Sequence, residues 1–283
     1  MPLGAHMSIT GGFDQALLRG KEVGCDTIQM FVKSNMAWKV APLTEEAIAT
    51  FRATRRETGI NPCVAHLSYL INITAVDART LALSHKTLPI EHEYTERLGL
   101  EYLVIHPGAH MGAEEEKALA EIARYLNEVH RRTRGYRTKI LLETTAGQGT
   151  YVCYRFEHLA WVLEHLEEPD RVGICYDTSH TFAAGYDIRT EKAYRKTFRE
   201  FNRIVGAKRI HAFHFNDSKA AFESRVDRHE HIGRGHLGTE PFRLIMTDRR
   251  FKNLPMILET PKGEEKGVPY DVINLRTLRS LLP

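Results

Sequence analysis

Short apolar runs alternate with longer amphipathic ones from end to end of this chain, and that alternation constrains the fold more than any single motif. Strand patterns fall at Leu3–His6, Thr27–Phe31, Pro62–His66, Tyr102–His106, Ile140–Glu143, Val172–Asp177, Ile210–His214 and Met256–Glu259. Each is brief and rich in Val, Ile, Leu or aromatics, as a strand covered on both faces is. Helical periodicity occupies Phe13–Val23, Thr44–Glu57, Ala78–Leu98, Glu114–Arg132, Phe156–His165, Glu191–Val205 and Glu240–Thr247, and Leu275–Leu281 closes the chain. Strand then helix, repeated about eight times, predicts an α/β fold whose parallel sheet closes into a (β/α)8 TIM barrel, with its active site at the C-terminal mouth. The length of 283 residues suits one such domain spanning 1–283. An open, doubly wound sheet would need a Gly-rich phosphate loop after its first strand, and Gly11-Gly12 lacks that spacing.

Local signals agree with the alternation. Thr44 is placed to cap a helix whose first turn holds Glu45 and Glu46. Gly24, Gly59, Gly99 and Gly206 follow helical runs where a left-handed residue ends the helix. Pro89 lies inside the Ala78–Leu98 run and is expected to kink or split it.

Composition excludes several classes. No apolar run is long enough to span a bilayer, so no membrane association is expected. The N-terminus enters a strand pattern directly, without the basic and apolar regions of a secretory signal. Cys25, Cys63, Cys153 and Cys175 are scattered, which argues for a reducing, cytoplasmic setting and against a thiolate metal site. The net charge of +3 permits a nucleic-acid partner without requiring one. The 15 histidines are roughly twice ordinary usage.

Their positions carry the chemistry. Six consecutive strand patterns end in a residue able to bind a metal: His66, His106, Glu143, Asp177, His214 and Glu259. In a barrel those ends ring the mouth. His180 follows Asp177 by three residues. Asp227 and His229 alternate within the polar stretch Ser224–Gly233, so an extended backbone would aim both the same way. These nine imidazoles and carboxylates are too many for one ion and match about three, with zinc or manganese favoured by the absence of thiolates. Three divalent ions would bring six positive charges against four carboxylates, leaving about two to attract an anion. Such a site suits phosphodiester hydrolysis. The chain has no Gly-Lys-Ser/Thr phosphate loop, no dinucleotide fingerprint and no nucleophile elbow around Ser8, Ser68 or Ser179.

With these residues in place the sequence resembles the endonuclease IV family of apurinic/apyrimidinic endonucleases. The resemblance runs through Gly4-Ala5-His6, His66–Asn72, His106-Pro107-Gly108, Leu142–Gly149, Asp177–His180, His214–Lys219 and Ser224–Gly233, in order over nearly the whole chain. It implies three zinc ions, with manganese a possible substitute: the first held by His66, His106 and Glu143, the second by Glu143, Asp177, His214 and Glu259, the third by His180, Asp227 and His229. It implies hydrolysis of the phosphodiester 5′ to an abasic site in duplex DNA, leaving a 3′-hydroxyl and a 5′-deoxyribose phosphate, and trimming of blocked 3′ ends in base excision repair. Glu143 and Glu259 become the catalytic carboxylates. The matched loops offer Tyr69, Met36, Lys33, Asn72 and Arg228 as expected DNA contacts, and the enzyme is expected to act as a monomer. Two departures stand out: Met36-Ala37 precede Trp38 where some members have Arg and Gln, and Arg234 stands where an acidic residue is frequent. The competing reading is a xylose-isomerase-like sugar isomerase or epimerase barrel, which needs one or two metals and has no use for the third trio.

Overall fold

The computed structural model describes residues 1–282. The strands are β1 (Leu3–His6), β2 (Thr27–Phe31), β3 (Cys63–His66), β4 (Tyr102–Ile105), β5 (Lys139–Glu143), β6 (Val172–Asp177), β7 (Ile210–His214), β8 (Asp217–Ser218), β9 (His229–Glu230), β10 (Met256–Leu258), β11 (Glu264–Glu265) and β12 (Val268–Pro269). The helices are α1 (Phe13–Val23), α2 (Glu45–Thr58), α3 (Ala78–Leu98), α4 (Glu115–Arg132), α5 (Phe156–Glu164), α6 (Thr178–Ala183), α7 (Glu191–Ile204), α8 (Glu240–Thr247) and α9 (Tyr270–Ser280). β1 to β7 and β10 form a closed parallel barrel, sealed where β1 pairs with both β2 and β10. The expected fold class is therefore observed. The expected strand patterns differ from the barrel strands by one residue or none at each end.

Alternation along the strands divides the core. Val64, Val104, Leu141, Cys175 and Ala212 form a small cluster inside the barrel, apart from the large cluster between strands and helices. Two residues further along each of these strands lie His66, His106, Glu143, Asp177 and His214. The period of two sends those side chains to the same inner face. The candidate ligands thus form the next layer above an apolar floor. A register shift between Ile174 and Cys175 sets Asp177 directly opposite His214, as a bulge that re-aims a side chain does.

Helix ends follow the local signals. Thr44 accepts from the Ala47 N–H, Asp77 from Thr80, Thr190 from Ala193 and Asp177 from His180. Gly24, Gly59 and Gly99 adopt the left-handed conformation. Gly206 sits one residue beyond its helix cap, with positive φ but extended ψ. Pro89 does not split α3, which runs unbroken from Ala78 to Leu98. The carbonyl that Pro89 cannot satisfy, that of His85, accepts instead from the Tyr125 hydroxyl at 2.8 Å, and the Tyr125 ring stacks on His85 at 3.8 Å. Among the described residues no helix is long and apolar enough to cross a membrane.

Candidate metal centre

The nine candidate ligands meet at the C-terminal mouth. Glu143, at the end of β5, is the hub. Its Oε2 lies 3.2 Å from His66 Nε2 and 3.1 Å from His106 Nε2. Its Oε1 lies 2.9 Å from His214 Nδ1 and 3.2 Å from His180 Nδ1. One carboxylate oxygen therefore serves the first trio and the other faces the second group. In that second group, His214 Nδ1 is 3.1 Å from Glu259 Oε2 and 3.8 Å from Asp177 Oδ2. In the third, Asp227 Oδ1 lies 3.1 Å from His180 Nε2 and 3.5 Å from His229 Nε2, and the two histidine nitrogens are 3.3 Å apart. Ligands on arms of about 2.0–2.1 Å around a tetrahedral zinc are separated by about 3.3 Å. The trios are spaced to fit such an ion.

Three groups of donor atoms converge closely enough for one ion each: His66, His106 and Glu143; Glu143, Asp177, His214 and Glu259; and Asp177, His180 and His229. The third group differs from the sequence assignment: Asp177 stands in it where Asp227 was expected. Besides facing His214, Asp177 Oδ2 lies 3.7 Å from His229 Nε2. It stands between the second and third groups rather than in the second alone.

Hydrogen bonds fix which nitrogen is free in four of the five imidazoles. A carbonyl oxygen can only accept, so a ring nitrogen bonded to one carries the proton. His66 Nδ1 donates to the Leu67 carbonyl at 2.7 Å, His180 Nδ1 to Thr144 at 2.9 Å and His229 Nδ1 to Glu259 at 3.2 Å. Each leaves its Nε2 lone pair in the cluster. His214 is the reverse. Its Nε2 donates to Gln29 Oε1 at 2.8 Å, which frees Nδ1. A second layer that selects the tautomer and holds the ring is the construction of a metal site.

The titration behaviour of these groups shows what the donor set lacks without cations. Burial acts to lower His180 and His214, but the facing Asp177, Asp227, Glu259 and Glu143 carboxylates, with the Cys175 thiol, push both well above the usual histidine range. Burial acts to raise Glu143 and Glu259, but His214 and the other rings hold Glu143 well below the carboxylate range and bring Glu259 down to about 2. The site demands positive charge at its centre. Without a cation, protons on His180 and His214 supply it, and divalent cations would compete with them for the same donors.

Several contributors are not metal-binding types at strand ends, so a scan for such residues passes over them. Gln29, inward-facing on β2 and fully buried, donates its amide to Glu259 Oε1 at 2.7 Å and lies 3.1 Å from His6 Nδ1 at the end of β1. Asn216 donates to Asp177 Oδ2 and accepts from the Glu259 N–H, both at 2.8 Å. Asp217 accepts from the backbone N–H groups of Ser218, Gly233, Gly235 and Leu237, which anchors the loop beyond His229. Gln148 accepts from the Asp227 N–H at 2.8 Å. The parity of β2 points to Gln29 once an inner face is assigned.

The expected DNA contacts separate into two kinds. Tyr69 is 63 % exposed at the rim, with its ring 5.7 Å from His66 and 6.2 Å from His106. Met36 is 83 % exposed on the loop after β2. Asn72 is half-buried in a cleft of about 260 Å³ that also touches Tyr69, His106, Tyr151, His180 and Asp227. Arg228 is exposed and donates to the Asp227 carbonyl at 2.7 Å. Lys33 is corrected: only 5 % exposed, its ammonium donates to the Ser34 and Ala37 carbonyls at 2.9 and 2.8 Å and lies 3.6 Å from Glu91. Its turn geometry spends its charge inside the protein, so it does not reach a phosphate. Arg234 pairs with Glu265 at 2.7 Å on the surface.

A closed barrel with a carboxylate-bridged donor cluster at its mouth is the architecture of a metal-dependent TIM-barrel enzyme, and residues 17–278 match the xylose isomerase-like TIM barrel family. Proteins named "Probable endonuclease 4" from Chloroflexus aggregans and Geobacter sulfurreducens are 48 % and 46 % identical over 279 and 280 residues, each alignment spanning 99 % of this chain and 97 % or 94 % of theirs. The crystal structure of endonuclease IV from Thermus thermophilus superposes with a TM-score of 0.86 at 33 % identity, over 99 % of this chain and 98 % of that one. The chain belongs to the endonuclease IV family. A D-psicose 3-epimerase superposes at 0.66 with 13 % identity, over 99 % of this chain and 95 % of that one, and shares the fold alone.

Proposed function

We propose that this protein is a zinc-dependent endodeoxyribonuclease of base excision repair that cleaves duplex DNA 5′ to an abasic site, leaving a 3′-hydroxyl and a 5′-deoxyribose phosphate, and that also removes 3′-blocking groups. The observation that carries this reading is Glu143, which presents one oxygen to His66 and His106 and the other to His214 within a rim that exposes Tyr69. His66, His106 and Glu143 would hold one ion, Glu143, Asp177, His214 and Glu259 a second, and His180, Asp227 and His229 a third. Divalent zinc at these positions supplies Lewis acidity, lowering the pKa of water and neutralising phosphate oxygens, and manganese is a possible substitute.

The chain's own groups do the rest. Glu143 and Glu259 are the carboxylates that orient the attacking water, and one of the two takes its proton. Gln29 holds Glu259 by one oxygen, so the other faces His214. Tyr69 at the rim fills the stack left by an abasic nucleotide, which leaves the duplex cheaply because no base must be unstacked. Asn72 and Arg228 flank the cleft as backbone contacts. All nine ligands come from one chain, so a monomer is sufficient, and residues 1–283 form one endonuclease domain in this reading. The cysteines are free and buried, which fits a reducing cytoplasm.

The family fold also serves sugar epimerases, and two ions would suffice for that chemistry. The trio of His180, Asp227 and His229 favours the nuclease. The deciding experiment is a nicking assay on an oligonucleotide duplex with one abasic analogue, alongside metal analysis by mass spectrometry. Cleavage on the 5′ side with about three zinc ions per chain is expected. An intact duplex, or undiminished cleavage after the zinc is removed, would refute the proposal.

A further inference from the structure

Two loops reach the rim with a large apolar side chain each: the one after β2 with Met36 and the one after β3 with Tyr69. They share no strand and no helix, yet both are tied to one buried carboxylate. Glu91 lies in the middle of α3, with no exposed surface. Its Oε2 accepts from the Ser68 N–H at 3.1 Å and its Oε1 from the Ser68 hydroxyl at 2.9 Å. Ser68 is the residue before Tyr69. On the other side, Glu91 Oε1 faces the Lys33 ammonium at 3.6 Å. Lys33 in turn donates to the carbonyls of Ser34 and Ala37, closing a turn that holds Met36 at its tip.

We infer that Lys33 and Glu91 are positioning residues that couple the Met36 and Tyr69 loops into one preorganised probe for duplex DNA; this rests on the proposed nuclease reading. The argument is one of cost. A buried ion pair is a poor source of stability, because desolvation offsets the attraction. A pair retained at this depth is better accounted for by what it holds in place. Two of the three Lys33 donors close the β2 loop and the ammonium also faces Glu91, whose two oxygens hold the β3 loop through Ser68. Beyond this, the Met36 tip has one backbone bond to the Ser34 hydroxyl and the Tyr69 ring packs on Phe31, yet Met36 and Tyr69 remain among the most exposed large apolar side chains of the molecule. Ordering two loops before the ligand arrives removes that entropy from the binding step.

The test must spare the fold, since removal of one partner strands a buried charge. The paired variant Lys33→Met/Glu91→Gln is neutral and close in volume, and its glutamine oxygen can still accept from Ser68. The chain has two tryptophans. Trp161 stacks on His165 on the outer helix α5, so Trp161→Phe leaves Trp38, at the end of the Met36 loop, as sole reporter. In that background the paired variant should lower Trp38 fluorescence anisotropy, weaken binding of an abasic duplex by about tenfold, and leave zinc content and kcat nearly unchanged. Unaltered anisotropy and unaltered affinity would overturn the inference and reduce the pair to core structure. Loss of zinc would overturn it too, since the pair would then act on His66. The anisotropy measurement needs no DNA, so it reads the order of the Met36 loop even if the wild-type protein fails to bind an abasic duplex, and the same drop in Glu91→Gln alone, which keeps the Lys33 bonds to Ser34 and Ala37, shows the coupling.

Discussion

Gln29 accepts the Nε2 proton of His214 at 2.8 Å while its own amide donates to Glu259 at 2.7 Å. One uncharged side chain thus sets the tautomer of one ligand of the second group and the rotation of another. Gln29→Leu should lower metal affinity at that position by about 10–100-fold, the usual cost of losing such a partner. Titration with a competing chelator reads this directly. An unchanged affinity would show that β2 contributes packing only.

Glu259→Gln preserves the shape of the side chain and its bond from Gln29 but removes the charge. Turnover on an abasic duplex should fall by about 10²–10⁴-fold, the range for loss of a positioned acid–base group, with the thermal midpoint scarcely moved. Single-turnover kinetics check the first part and calorimetry the second. Retained turnover would take Glu259 out of the chemistry.

Tyr69→Ala should weaken abasic-duplex binding by about 1–3 kcal/mol, the value of one stacked base on an aromatic ring. Zinc content should not change, because Tyr69 touches the ligand rings only by its edge and face. Fluorescence titration against intact and abasic duplexes gives the comparison.

Acid should destabilise the outer shell, whereas the raised histidines of the mouth act in the opposite sense. Burial pushes His92 down to about 4, and burial with the nearby Arg171 charge brings His130 to about 3. Both folded values lie below the unfolded value of about 6.5, so the unfolded chain binds protons first. Stability is complete above about pH 6.5 and is lost as the pH falls toward 4. For His92 the loss reaches about 3 kcal/mol at the bottom of that window. Urea unfolding of zinc-free protein at about pH 7 and pH 5 should show the drop, and His92→Gln should flatten it. A His92→Gln variant with the same pH dependence as the parent would contradict the assignment.

Tyr125→Phe keeps the ring stacked on His85 but removes the donor that satisfies its carbonyl. A loss of about 1–3 kcal/mol is expected for a buried acceptor left unpaired, read from urea midpoints. No loss would mean that water replaces the hydroxyl.

The same tyrosine shows where sequence reasoning stops. Pro89 announces a helix interruption, and only the three-dimensional partner at residue 125, far along the chain, cancels it. The barrel itself was legible because its strands are covered on both faces and so read as unbroken apolar runs. Six members of the candidate cluster were legible because the inner-face period ends each run on a chelating residue. Gln29 and Asn216 were not, because amides occur everywhere and only their distances to His214, Glu259 and Asp177 mark them. Lys33 was misread for a related reason: a lysine beside a rim loop looks like a phosphate contact until its ammonium is found facing Glu91.

The layered barrel has a consequence for how such a protein can vary. Six of the nine ligands are mounted on the strand ends directly above the apolar floor, whereas His180, Asp227 and His229 stand on α6 and the long connection after β7. The lower tier is bound to the core by register, and a one-residue slip would bury a hydrophobe where a ligand belongs. In the upper tier, His180 is held by α6 and the Thr144 carbonyl, whereas Asp227 and His229 ride on a connection secured by the β8–β9 pairing, the Glu259 carbonyl and anchors such as Asp217 and Gln148. Exchange of those loops would therefore remove Asp227 and His229 from the cluster while the strand-end donors and the barrel stayed whole, so the upper donor set and the integrity of the fold are separately adjustable.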